Sequence, residues 1–304
     1  MLDYWIAKGS NVSCDSNATS AHKYLRKRAR CVEITVGHTP DADDAFMFYG
    51  IASNKVTMDD VKVKHVIEDI ESLNKRALQN ELDVTAVSAH AYAYTRDYVI
   101  LRSGASFGKA YGPIVIAKRK FSVDELKKSR IAIPGKMTTA YLLLQMAIGD
   151  FNAVEMKFSD INAAVEKDSV DAGLVIHEAQ ITYDQAKFVN TLDLGLWWDG
   201  VSKGLPLPLG INIASKRLGN EMISRFDELL KRSIQFGFEN IEDSLDYAMQ
   251  YARGASRYLI EKFVRMYVND LTIDMGEQGV SSLHKLYAIA KQNQIIKNIE
   301  VAIA

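Results

Sequence analysis

Three short segments of the chain carry hydroxyls and carboxylates that can hold a small ligand. They are GHTPDADDAF (residues 37–46), VSAHAYAY (87–94) and PGKMTTAYLLL (134–144). Each follows an apolar run typical of a strand and precedes a stretch with helical periodicity. In open α/β sheets, ligands bind beyond the carboxyl ends of strands, where the next helix offers free N–H groups and a partial positive charge. The three turns therefore predict a site for a small anion, such as a carboxylate or a phosphate.

The first segment is unusually acidic, with Asp41, Asp43 and Asp44 close together. Thr39 and Asp43 can cap the following helix or contact the ligand. A metal site is the alternative, but no histidine or glutamate completes a recognisable ligand spacing. We therefore interpret the turn as a capped and solvated helix start. His38, at the end of the strand, can be structural or can face the ligand.

Hydroxyls also stand where the second and third segments change from strand to helix. Ser88 can receive an anion together with the amides that follow it. Gly135 permits a close backbone approach, and Thr138 and Thr139 follow at a predicted helix N-terminus. N-capping explains one of these threonines, and anion binding explains the pair equally well. The glycine spacing of a P-loop is absent.

The segment DAGLVIHEAQITY (residues 171–183) brings His177 and Glu178 to the end of an apolar strand. A histidine in this position can serve as a general base, because histidine titrates near neutral pH. A structural histidine is the alternative, and the pattern alone does not decide between them. His90, Tyr92 and Tyr94 can form a pocket wall, although aromatic residues at such spacing are more typical of a core. Trp197 and Trp198 can form a flat wall for an aromatic ligand, although packing between lobes is the more common use.

The elements that position these residues follow a regular alternation. From residue 32 to about residue 176, short β-rich runs alternate with helical stretches, which predicts mostly parallel sheets flanked by helices. After residue 217 the periodicity is almost entirely helical. The segment LPLPLG (205–210) carries two prolines, which suit an extended crossing between lobes, with a surface loop as the alternative. We expect a polar N-terminal extension over 1–31, a large lobe of 32–115 with 206–304, and a small lobe of 116–205. A two-strand hinge would then let the cleft close on a ligand.

Composition narrows the class of function. The 304 residues include 37 basic and 38 acidic side chains, so no charge excess favours nucleic acid or an anionic membrane as a partner. The two cysteines form no disulfide framework, and no apolar run reaches the roughly 20 residues of a membrane span. The N-terminal residues do not resemble a signal peptide. We therefore expect a cytoplasmic protein with a small-molecule partner.

The segments GHTPDADDAFMFYGIA, DVTAVSAHAYAY, GKMTTAYLLL, DAGLVIHEAQITY and LPLPLGIN, in this order, resemble motifs of 1,4-dihydroxy-6-naphthoate synthase. The resemblance runs from about residue 32 to beyond residue 212. It implies a periplasmic-binding-protein-like fold of type II and a carbon–carbon lyase of the futalosine route to menaquinone. The implied reaction converts cyclic dehypoxanthinyl futalosine, an aromatic carboxylate, to 1,4-dihydroxy-6-naphthoate and dihydroxyacetone without metal or organic cofactor. The family's catalytic base falls on His177, and its substrate-binding hydroxyls fall on Ser88, Thr138 and Thr139.

The first turn departs from the family's pattern, which reads Ser-Pro-Cys-Pro-Asn-Asp. This chain has Thr39, Pro40, Asp41, Ala42, Asp43 and Asp44 in those places. A carboxylate at Asp43 would repel a substrate carboxylate or favour a hydroxyl donor, so a divergent branch with another substrate is one expectation. A non-catalytic solute-binding protein and a chorismate dehydratase of the same fold are the alternatives. The histidine of the "IHE" motif favours the synthase.

Overall fold

The computed structural model describes residues 31–304, so the polar extension predicted for residues 1–31 lies outside the described residues except for its last residue. The strands of the described range are β1 (Val32–His38), β2 (Val61–Ile67), β3 (Val84–Ser88), β4 (Tyr98–Ile100), β5 (Ser106–Gly108), β6 (Ile114–Ala117), β7 (Arg130–Ile133), β8 (Asn152–Glu155), β9 (Ala172–Val175), β10 (Val189–Asp193) and β11 (Leu207–Ser215). The α-helices of the same range are α1 (Ala42–Ala52), α2 (Ile70–Leu78), α3 (Ala89–Tyr92), α4 (Val123–Lys128), α5 (Thr139–Ile148), α6 (Ile161–Glu166), α7 (Ala179–Thr182), α8 (Leu194–Ser202), α9 (Asn220–Glu239), α10 (Ile241–Met249), α11 (Arg257–Tyr267), α12 (Asp270–Ile273) and α13 (Gly276–Gln292).

The strands form two sheets. The first has the order β2-β1-β3-β11-β4, with β5 also paired to β11, and the second has the order β10-β6-β9-β7-β8. We call the segment from β6 to α8 the second lobe, and the rest of the described chain the first lobe. The chain passes from the first sheet to the second between Gly108 and Ile114, and it returns between Ser202 and Leu207. The segment LPLPLG therefore leads into β11, whose residues 207–210 pair with β5 and reach β3.

Strand directions are mixed, which differs from the prediction of mostly parallel sheets. β1 runs parallel to β2 and β3, and β7 runs parallel to β8 and β9. The strands that enter from the other sheet run the opposite way: β11 is antiparallel to β3, β4 and β5, and β6 is antiparallel to β9 and β10. Alternation of strands and helices predicts parallel neighbours only within one lobe, so it could not reveal the direction of these crossing strands.

Helix α1 lies deep in the first lobe. Nine of its eleven residues are buried, as expected of a helix that is apolar around most of its circumference. It packs against α9, α10 and α11, which supply the helical C-terminal part of the lobe. The N-terminal turn of α1, where the acidic residues stand, opens toward the cleft between the lobes. None of the helices in residues 31–304 has the length and apolar character needed to cross a membrane.

Candidate functional site

A cleft between the two lobes is lined by residues of both, and small-molecule sites occur preferentially at such interfaces. Six of the seven residues predicted to bind or react line it: Thr39, Asp43, Ser88, Thr138, Thr139 and His177. Gly135 does not line it. Glu71 explains why residue 135 is a glycine, because a Cβ there would collide with the Glu71 carboxylate.

His177 follows β9 and points a ring nitrogen at a buried carboxylate. Its φ angle is 55°, in the left-handed region. The Nδ1 atom lies 3.2 Å from Oδ2 of Asp41, and the His177 side chain is 16% exposed. An ionised carboxylate can only accept a hydrogen bond, so Nδ1 carries the proton of the neutral imidazole. The other nitrogen, Nε2, is then the one available to accept a proton from a ligand in the cleft.

Asp41 is the residue of the first turn whose importance the sequence did not indicate. It is 2% exposed, and its Oδ1 accepts a hydrogen bond from Nη2 of Arg253 at 2.7 Å. Burial alone would raise the pKa of Asp41, but the charges of His177 and Arg253 outweigh it and hold the pKa below its ordinary value. The carboxylate is therefore ionised at neutral pH.

The interpretation of the acidic turn as solvated was wrong, because Asp43 and Asp44 are both buried. Burial and the charges of Asp44 and Asp41 raise the pKa of Asp43 to about 7. Burial raises the pKa of Asp44 to about 6, although Asp44 accepts hydrogen bonds from the amide and hydroxyl of Thr39. Asp43 lines the cleft next to Ser106, whose hydroxyl lies 3.4 Å away, so it can accept from or donate to a ligand hydroxyl near neutral pH.

No group of three or more histidine, cysteine, aspartate and glutamate side chains in residues 31–304 is arranged to hold a metal ion. The acidic turn is instead held by hydrogen bonds and ion pairs within the protein.

The opposite wall of the cleft is the N-terminus of α5, which carries no acidic residue in its first turn. Thr138 is its N-cap, and the Thr138 hydroxyl accepts from the amide of Tyr141 at 3.2 Å. The Thr139 hydroxyl donates to the carbonyl of Leu209 on β11 at 2.6 Å. The amides of Thr139 and Ala140 have no hydrogen-bond partner among the described residues, and both residues line the cleft. Capping and anion binding are therefore compatible here, since the hydroxyls hold the turn and the amides stay available.

Ser88 is held beside this wall by Asn74. The Ser88 amide donates to Oδ1 of Asn74 at 2.8 Å, and the Ser88 hydroxyl accepts from Nδ2 of Asn74 at 3.2 Å. The hydroxyl proton of Ser88 remains available to a ligand. Nδ2 of Asn74 also lies 3.3 Å from the buried Glu71 carboxylate, which keeps the amide in one orientation.

Several cleft residues were not anticipated from the sequence. Asn212 on β11 is buried, donates through Nδ2 to the carbonyl of Gly104, and leaves Oδ1 without a partner among the described residues. A polar residue inside the apolar run of β11 was the signal that could have identified it. The Tyr267 hydroxyl and the Gln180 amide, 2.8 Å apart, join the two lobes at the cleft edge. Their separation in the chain gave no such signal.

His38 and His90 do not line the cleft and contact other groups of the protein. Nε2 of His38 lies 3.0 Å from Nδ1 of His65, and burial together with His65 lowers the pKa of His38 to about 3. His90 lies behind the cleft wall, with Nδ1 3.3 Å from the Thr138 carbonyl, and burial lowers its pKa to about 4. The residues that were candidates for pocket walls but do not line the cleft are His90, Tyr92, Tyr94, Trp197 and Trp198.

Comparison with known proteins places this site in a family. The model of a family described as menaquinone biosynthesis matches residues 34–292. A 1,4-dihydroxy-6-naphthoate synthase of Thermus thermophilus is 38% identical over 259 residues, which cover 85% of this chain and 94% of that protein. A protein of the same name from Streptomyces coelicolor is 30% identical over 270 residues, 86% of this chain and 94% of its own length.

Solved structures agree on the fold. A protein from Archaeoglobus fulgidus is similar with a TM-score of 0.83 and 48% identity, covering 87% of this chain and 98% of its own. An alkanesulfonate-binding protein from Xanthomonas axonopodis pv. citri has a TM-score of 0.63 at 12% identity, covering 91% of this chain and 99% of its own. The second likeness concerns the fold alone, and it confirms the predicted two-lobed periplasmic-binding-protein-like architecture.

Proposed function

The chain belongs to the menaquinone biosynthesis family, and we propose that it converts cyclic dehypoxanthinyl futalosine to 1,4-dihydroxy-6-naphthoate and dihydroxyacetone. The named relatives support a lyase of this kind. The observation that carries the proposal is the arrangement of the cleft, in which a histidine oriented by a buried carboxylate faces a helix N-terminus with free amides.

His177 acts as the base in this proposal. With Nδ1 donating to Asp41, Nε2 of the neutral ring can take a proton from a substrate hydroxyl. Removal of that proton initiates cleavage of the carbon–carbon bond that releases the aromatic acid. Asp43 and the unpaired Oδ1 of Asn212 are placed to hydrogen-bond hydroxyls of the part of the substrate that becomes dihydroxyacetone.

The substrate carboxylate binds at the N-terminus of α5. The amides of Thr139 and Ala140 and the hydroxyl of Ser88 offer hydrogen-bond donors there, and the helix contributes a partial positive charge. Closure of a lobe of residues 116–205 on a lobe of 32–115 and 206–304 would exclude water and orient the bound substrate. We also place the reaction in the cytoplasm, in agreement with the low cysteine content.

The test is turnover by the purified protein. Incubation with cyclic dehypoxanthinyl futalosine should yield 1,4-dihydroxy-6-naphthoate, measured by liquid chromatography. His177→Gln should lower kcat by about 100-fold or more, because a positioned base contributes about 10²–10⁴-fold. The matched control is His284→Gln, which changes an exposed histidine on α13 and should keep wild-type turnover.

The outcomes separate the reaction from the base. Product from the control and not from His177→Gln supports both. Equal turnover by the two variants would remove His177 from the role of base. No product from any of the proteins would contradict the proposed reaction and favour a non-catalytic protein that binds a small acid.

A further inference from the structure

His177 and its carboxylate partner come from different lobes. Asp41 stands between β1 and α1 of the first lobe, whereas His177 follows β9 of the second lobe. The 3.2 Å contact from Nδ1 of His177 to Oδ2 of Asp41 therefore crosses the cleft. Any movement that separates the lobes would break the contact and free the imidazole to rotate.

Arg253 bridges the same two lobes beside this contact. It lies in the loop between α10 and α11 of the first lobe, where Nη2 donates to the carbonyl of Pro40 at 2.8 Å and to Oδ1 of Asp41 at 2.7 Å. Its Nη1 donates to Oε1 of Glu178, the neighbour of His177, at 2.9 Å. The guanidinium also lies 4.6 Å from the centre of the Phe158 ring in the second lobe.

The same ring touches the histidine. The Phe158 and His177 rings are 5.1 Å apart in an edge-to-face arrangement. Arg253 therefore reaches His177 from three directions: through the oxygen of Asp41 that His177 does not use, through Glu178 next to it in the chain, and through the ring packed against it.

Separation of the lobes would be costly for this cluster. Asp41 is 2% exposed, and each of its oxygens has one charged or potentially charged partner. Charge pairs in a site with little water interact more strongly than surface pairs, and loss of one partner of a buried pair is strongly unfavourable. The cluster therefore favours the closed arrangement of the lobes even before a ligand binds.

We propose that Asp41 and Arg253 are positioning residues: closure of the lobes assembles the Asp41–His177 pair, and Arg253 holds the lobes closed by bridging Asp41 to Glu178. We call the bridge from Asp41 through Arg253 to Glu178 the latch. Its effect on turnover rests on the proposed function, whereas the latch itself does not.

The latch is tested on the ligand-free protein by small-angle X-ray scattering. Arg253→Gln should raise the radius of gyration above the wild-type value. The control is Arg257→Gln, four residues away. Within residues 31–304 the ion pairs of Arg257 are with Glu242 and Asp246 of the first lobe, so this variant should leave the radius unchanged. Equal radii for the two variants would overturn the latch. If Arg253→Gln does not fold, Glu178→Gln breaks the same bridge from the second lobe, with the same two readings.

The positioning role is tested by NMR and by kinetics. The Nδ1 proton of His177, held by a carboxylate, should give a far-downfield resonance that is lost in Asp41→Asn while the variant remains folded by circular dichroism. In turnover, Asp41→Asn should lower kcat by at least about tenfold and leave KM within about twofold, since the carboxylate orients the base and does not bind substrate.

The readouts distinguish two failures. An unchanged kcat in Asp41→Asn, or an unchanged resonance, would overturn the positioning role. If the wild type shows no turnover of the proposed substrate, the proposed function fails, and the scattering and NMR results still decide the latch and the pair.

Discussion

The N-termini of α1 and α5 face the same cleft with opposite side-chain chemistry. Both follow a strand and both present a partial positive charge. The first turn of α1 holds Asp43 and Asp44, so its own carboxylates meet that charge, whereas the first turn of α5 has no acidic residue and a neutral N-cap, Thr138. The difference gives the cleft a polarity. An anionic group is favoured at α5, and hydroxyl groups are favoured at α1 beside His177.

The strongest test of this polarity is to make α5 resemble α1. Thr138→Asp keeps a good N-cap residue but adds a negative charge, and Thr138→Asn is the neutral control of the same size. At pH 8, Thr138→Asp should weaken binding of 1,4-dihydroxy-6-naphthoate by about 100-fold or more, because like charges about 4 Å apart repel by a few kcal/mol. Isothermal titration calorimetry measures the difference. Equal affinities for the two variants would place the ligand carboxylate elsewhere.

A second test removes the Asp43 carboxylate from the first turn of α1. Asp43 has a pKa of about 7 when folded and an ordinary value of 3.8, so between these pH values the folded chain holds a proton that the unfolded chain has lost. Asp43 therefore contributes stability that is lost as pH rises from about 4 to about 7. Asp43→Asn should make the decrease in the free energy of unfolding with rising pH shallower by up to about 1.4 kcal/mol per pH unit.

The measurement is the free energy of unfolding by urea at several pH values in this window. The buried histidines His38 and His90, whose pKa values are lowered, contribute in the opposite sense, so the informative quantity is the difference between wild type and variant. Asp59→Asn, at an exposed carboxylate, is the control. If the free energies of unfolding of wild type and Asp43→Asn change with pH in parallel, the charge of Asp43 does not destabilise the folded protein.

The smallest expected effect comes from Ser88, which lines the cleft. Ser88→Ala removes a hydroxyl that can donate to the ligand, and Asn74 keeps its bonds to the Ser88 amide and to Glu71. Affinity for 1,4-dihydroxy-6-naphthoate should fall by about 2- to 10-fold, the value of one hydrogen bond. Ser281→Ala, exposed on α13, should bind like the wild type. An affinity equal to that of the wild type would remove the Ser88 hydroxyl from the carboxylate site.

Local features of the site were predictable from the sequence. Strand ends, helix starts and the hydroxyls of Ser88, Thr138 and Thr139 are set by residues a few positions apart, and these three residues line one cleft. The position of His177 at the end of β9 follows from the same kind of pattern.

Long-range features were not predictable. Arg253 lies 212 residues from Asp41, and no periodicity connects them. Asp43 is buried where residues distant in the chain, such as Ser106 and His177, meet at the cleft, which is a tertiary effect that composition alone cannot show. Gly135 was assigned to the ligand because glycine permits close approach, but the group that approaches is Glu71 of the first lobe.

The backbone conformation of His177 has a consequence for which residues can stand at position 177. A φ angle of 55° is comfortable for glycine and costs a histidine on the order of 1 kcal/mol or more. The proposed base thus stands at a position where the backbone conformation disfavours any residue with a Cβ. Glycine at position 177 would relieve this strain but would leave the buried Asp41 carboxylate without one of its partners, so the strained conformation persists because the contacts of the side chain hold it in place.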